Sequence, residues 1–194
     1  MTTQKGSEEI PPRPPRTEGP SAKFLRPLWP LFRLRGNPQD LPYSPNLPLL
    51  LIAASVIIDM LVGDALHDSG NTFARSLLST GVVLGLCWIA LAVRSLRNRY
   101  VQTTTALLAC SLLFSLLQLP LALLAGPSPA SVDQLTALQV LFGWIAVALF
   151  AWQVSVDAHI MRHAMDASFW LAFALVLSWV LAYWALDRVL FGAA

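Results

Sequence analysis

The chain has 194 residues, of which 56% are hydrophobic and only 12% charged, and its mean hydropathy is +0.59. A soluble domain carries about 25% charged residues because its surface faces water, so this composition excludes a soluble globule and leaves an apolar surface that must face lipid. The net charge is only +2, and no nucleic-acid partner is expected.

All but three of the 14 prolines (Pro120, Pro127 and Pro129) lie at or before Pro48. Residues 1–45 therefore read as a proline-rich, partly disordered cytoplasmic tail, and residues 46–194 as the membrane domain. The run Ile10-Pro11-Pro12-Arg13-Pro14-Pro15-Arg16 favours extended polyproline II. Between Lys23 and Gly36, aromatic and leucine residues alternate with Lys23, Arg26, Arg33 and Arg35, while Pro27 and Pro30 forbid one long helix. This mixture suits the headgroup region of an anionic leaflet, or else a short apolar plug packed beneath the bundle. The long tail before the first apolar run is unlike a cleaved signal peptide, so that run is expected to remain as a signal anchor.

Five apolar segments follow, at about 47–66, 73–93, 102–124, 135–156 and 167–186. Each has roughly the 20 residues a helix needs to cross the ~30 Å hydrocarbon core. They are continuous Leu- and Ala-rich runs, unlike the short alternating strands of a barrel. The expected fold is all-α, a polytopic bundle of five transmembrane helices. Gly126-Pro127-Ser128-Pro129 breaks the chain between the third and fourth, and Pro120 is expected to kink the third. Cys87 and Cys110 sit in apolar runs and read as small packing residues, not a disulfide or zinc site.

Charge placement sets the orientation. Lys5, Arg13, Arg16, Lys23, Arg26, Arg33 and Arg35 precede the first segment, Arg94, Arg97 and Arg99 follow the second, and Arg162 follows the fourth. The opposite connections hold only Arg75 and Arg188. The positive-inside rule places the N-terminus in the cytoplasm and the C-terminus outside.

Several polar groups stand out. Asp59 falls in the outward half of the first segment, where an ionised carboxylate costs about 2.5–3.5 kcal/mol at mid-membrane. Asp64, His67 and Asp68 share a face beyond it. Functionally, this set marks a proton or cation path opening outward. Structurally, Asp59 reaches headgroup water or pairs with Arg75. His159, His163 and Asp166 follow at helical spacing that can hold a divalent metal. No glutamate lies between the histidines, however, and Arg162 would repel a cation. The preferred reading is a helical extension of the fourth span with its polar residues solvated, and no metal or cofactor is expected. Gly81 and Gly85 form a GxxxG step that lets a neighbouring backbone approach, from this chain or from a second copy. The membrane body has no lysine and no glutamate, and the chain has no phosphate loop or nucleotide fingerprint. These absences argue against an enzyme.

The segment Arg35-Gly36-Asn37-Pro38-Gln39-Asp40-Leu41-Pro42-Tyr43-Ser44-Pro45 before the first span, the five-span plan, and His159-Ile160-Met161-Arg162-His163-Ala164 before the last together resemble the Yip1-like membrane proteins, in particular small bacterial members. The resemblance covers roughly Arg35 to the end. It departs where eukaryotic relatives carry an Asp-Leu-Tyr-Gly-Pro-like motif, since Asp40-Leu41-Pro42-Tyr43-Ser44-Pro45 stands here. The family is associated with membrane trafficking, so the resemblance implies a non-catalytic scaffold or adaptor in the bacterial inner membrane. Its expected partners are the lipid bilayer and other membrane proteins, including copies of itself. Asp40, Leu41, Tyr43, His159, Arg162 and His163 are the expected partner-binding residues. The alternative is a small transporter or channel subunit using Asp59.

Overall fold

A computed structural model describes residues 27–41, 43–65, 71–126 and 135–192. Five long helices are present: α1 (Leu47–Ala65), α2 (Thr72–Val93), α3 (Tyr100–Ala125), α4 (Ala137–Met165) and α5 (Phe169–Phe191). No strand occurs among the described residues. Four helical stretches are long and apolar enough to cross a membrane: Thr72–Val93, Arg97–Ala125, Ala137–Met165 and Phe169–Phe191. The apolar part of α1, Leu47–Gly63, is shorter. The composition and these four helices point to a membrane protein.

The helix boundaries follow local chemistry. Asn71 and Ser168 accept from the backbone N–H three residues on, and Thr136 forms a reciprocal capping box with Gln139. At the other ends, Ser95 and Asp166 adopt left-handed backbone with φ of 59° and 49°. Leu96 N–H then bonds to Leu91 carbonyl at 2.8 Å and Ala167 N–H to Arg162 carbonyl at 3.0 Å. These closures have the Schellman form, with a non-glycine residue where glycine is usual. α3 runs through Pro120 without interruption, so the expected kink does not end the helix. α4 runs to Met165, so the expected helical extension of the fourth span is present and carries His159, Arg162 and His163 within it, although His159 is buried where a solvated side chain was expected.

The helices contact one another in the cyclic order α1–α3–α4–α5–α2 and back to α1. α3 is the most enclosed, with every residue from Thr103 to Cys110 buried. Thr103, Thr104 and Thr105 each return their hydroxyl to a carbonyl one turn back, at 2.7–2.8 Å, so these buried donors need no partner on another helix. Most large exposed residues elsewhere are apolar, including Leu49, Trp144, Leu181 and Val189. That pattern suits lipid-facing surfaces.

The segment before α1 folds against this bundle. Residues 27–32 are helical and close on Leu34 (φ 59°), with Arg35 N–H bonded to Pro30 carbonyl at 2.8 Å. Leu28, Leu31 and Phe32 are buried, and Phe32 packs between Phe114 (4.8 Å) and Trp152 (4.6 Å). Trp29 stays exposed, with Arg33 over its ring at 5.9 Å. The plug geometry thus accounts for the buried side, while Trp29 and Arg33 keep the aromatic–basic character expected of an interfacial anchor.

Candidate functional site

Asp59 lies on the inner face of α1. Its carboxylate accepts from Ser76 Oγ of α2 at 2.6 Å and from Ser115 Oγ of α3 at 3.1 Å. Serine hydroxyls are neutral donors, so they give this carboxyl hydrogen bonds and no countercharge. Arg75, one expected partner of this carboxylate, makes its ion pair with Asp187 of α5 at 3.1 Å, and its guanidinium lies 5.7 Å from the Phe191 ring. Both contacts of Arg75 tie α2 to α5. Asp59, Arg75, Ser76, Ser115 and Gln118 line a cleft of about 290 Å³. Gly63 lets the end of α1 approach the start of α2 there, since a Cβ on it would meet Thr72 Cγ2 at 2.8 Å.

A second cavity of about 190 Å³ adjoins this cleft, bounded by α2, α4 and α5, and Ser79 and Tyr183 line both. Asp157 of α4 faces this second cavity, and its Oδ1 is buried without a hydrogen-bond partner, as is Trp179 Nε1. In the sequence Asp157 stands two residues before His159, outside the face that His159, His163 and Asp166 were expected to share. In the fold, Asp59 of α1 and Asp157 of α4 stand in adjoining cavities. The signal was an apolar run, Trp144 to Val156, leading straight into an aspartate. Spacing alone could not say which face of α4 turns inward.

The residues expected to bind a partner are used largely within the chain. Asp40 accepts from Asn37 N–H at 3.3 Å in a capping box that closes the short turn Pro38–Asp40. Leu41 is buried, and its carbonyl accepts from Gln102 Nε2 at 3.2 Å. His159 is buried, with Nε2 3.0 Å from the Gly36 carbonyl and its ring 4.5 Å from that of His163. Tyr43 and Arg162 are exposed. Asp166 turns out of the helix and takes Arg99 at 2.7 Å, so it shares no helical face with His159 and His163. Arg99 also donates to the Ala164 carbonyl at 3.2 Å, capping the negative end of α4. Among the described residues no group of three or more His, Cys, Asp or Glu side chains could hold a metal ion.

A Cβ added at Gly81 or Gly85 would meet nothing within 4 Å. The GxxxG step therefore packs against no helix among the described residues. His67, Asp68, the proline-rich run and the Gly-Pro turn after Gly126 lie outside the described residues, as does the side chain of Asp64. In comparisons with known proteins, the chain matches no family model, no curated protein and no solved structure.

Proposed function

We propose that this chain is a non-enzymatic, five-span protein of the bacterial inner membrane, N-terminus inside, in which Asp59 carries a proton or small cation through an outward-opening cleft. The observation that carries this reading is the pair of adjoining cavities inside the helix ring. Each holds a carboxylate, and Ser79 and Tyr183 are common to both. An ionisable group within a membrane bundle is expensive, and where it faces a polar cleft it marks a path or binding site. Counting α1 as a span rests on its 19 residues and on its contact with α3 along the bundle. Flux in proteoliposomes tests the reading: dissipation of an imposed pH gradient should fall to background in Asp59→Asn. Wild-type flux in that variant at all pH values would end the transport assignment.

A second reading, the Yip1-like adaptor, is favoured by a different observation. The docked segment before α1 leaves Trp29, Arg33, Arg35 and Tyr43 exposed, and Arg97 and Arg162 are exposed as well. Crosslinking from native membranes should recover a defined partner with the full chain and lose it when residues 1–36 are removed. Recovery of only chaperones and self-crosslinks would dismiss it.

A further inference from the structure

Asp157 is the carboxylate that the Asp59 path leaves unexplained. It sits eight residues from the end of α4 at Met165, about 12 Å along the helix axis. A buried carboxylate oxygen without a donor forgoes the compensation that normally offsets its desolvation, and the group that supplies it must come from the cavity. The volume, about 190 Å³, is far more than the roughly 10–15 Å³ of probe space that one water requires.

The wall defines the occupant. Phe150, Trp179 and Tyr183 contribute three aromatic side chains, valines from α2, α4 and α5 fill most of the remainder, and the neutral polar groups are those of Ser79 and Gln153, the Tyr183 hydroxyl and the Trp179 indole N–H. No lysine, arginine or histidine lines it, so the chain supplies no countercharge at the cavity surface. Hard metal cations take six or more oxygen ligands, which this wall does not offer. An organic ammonium ion matches it, because its charge suits a carboxylate and aromatic faces while its alkyl groups suit valine.

We propose that this cavity binds a small organic ammonium cation, with the nitrogen beside Asp157 and the carbon groups against Phe150, Trp179 and Tyr183. The inference rests on the reading of the ring interior as a solute path, because Ser79 and Tyr183 line both this cavity and the Asp59 cleft. Binding here makes the small cation of that reading an amine.

The test uses the full chain in nanodiscs of phosphatidylglycerol alone, so that no lipid headgroup brings its own amine. Ethanolamine and choline are titrated by calorimetry against 3,3-dimethyl-1-butanol, the uncharged isostere of choline. At least one amine should bind saturably and the neutral isostere should not. Asp157→Asn should weaken amine binding by about tenfold or more, the effect of losing a charge-assisted contact worth roughly 1.4 kcal/mol. Absence of binding by both amines, equal binding of the neutral isostere, or unchanged affinity in Asp157→Asn overturns the proposal. The isostere comparison needs no variant, so it decides the matter even if Asp157→Asn fails to fold. Asp59-dependent proton flux without amine binding defeats this inference alone. Amine binding with flux indifferent to Asp59 defeats the Asp59 path alone.

Discussion

Phe32→Ala should release the segment before α1 while leaving the bundle folded. Phe32 is almost fully buried, and its ring sits 4.8 Å from Phe114 and 4.6 Å from Trp152. Both partners belong to the bundle, so the truncation weakens docking and spares contacts among the long helices. Truncating a buried phenylalanine costs about 3–5 kcal/mol, and each 1.4 kcal/mol is tenfold. The undocked population should therefore rise by roughly two to three orders of magnitude. Arg33 and Arg35 flank the left-handed Leu34 and are exposed at the surface, but trypsin needs the backbone extended, which the docked turn prevents. When opening is fast, cleavage tracks the open population, so initial trypsin rates at these arginines in detergent-solubilised protein should rise at least a hundredfold. Rates within threefold of wild type, with the melting temperature unchanged, would refute the claim that Phe32 holds the segment down.

Leu34→Gly and Ser95→Gly should each raise thermal stability by about 1 kcal/mol, because left-handed backbone costs a β-carbon roughly 1–2 kcal/mol and glycine far less; thermal melts in detergent check this. Arg99→Gln removes the ion pair to Asp166 and a donor to the end of α4. It should lower stability by only about 1–2 kcal/mol, since Asp166 is largely exposed and its charge screened. Gly63→Ala forces Thr72 away from a contact of 2.8 Å. The contact between α1 and α2 at Thr72 should lose about 1–3 kcal/mol by overpacking, read as a lower melting temperature with the other helices retained by circular dichroism.

Helix positions were largely legible because continuous apolar runs and caps are local signals. α2 and α3 start within two residues of their expected positions. The missed features depend on contacts between helices or on unmarked chain reversals. The helix at 27–32 and the end of α4 close on Leu34 and Asp166, neither of them the glycine that announces such an end in a sequence. Gly81 and Gly85 fit a packing motif, yet they face open space, because a motif records what a face permits and not what lies opposite it. Asp59 was readable as a costly charge in an apolar run. Ser76, Ser115, Ser79 and Tyr183 were not, since nothing in their own neighbourhoods distinguishes a serine that solvates a carboxylate from one that bonds its own helix.

The cyclic helix order also bears on how the chain is assembled. α1 has its most extensive partner in α3, not in its sequence neighbour α2. In the proposed five-span arrangement, Asp59 would enter the membrane first, meet Ser76 when α2 is made, and gain Ser115 only after α3 arrives. The newborn hairpin therefore carries a half-solvated carboxylate, and the cost of leaving it in lipid favours retention beside the insertion machinery until the third helix is complete. Asp59 thereby couples the release of α1 to the synthesis of a helix more than 50 residues downstream.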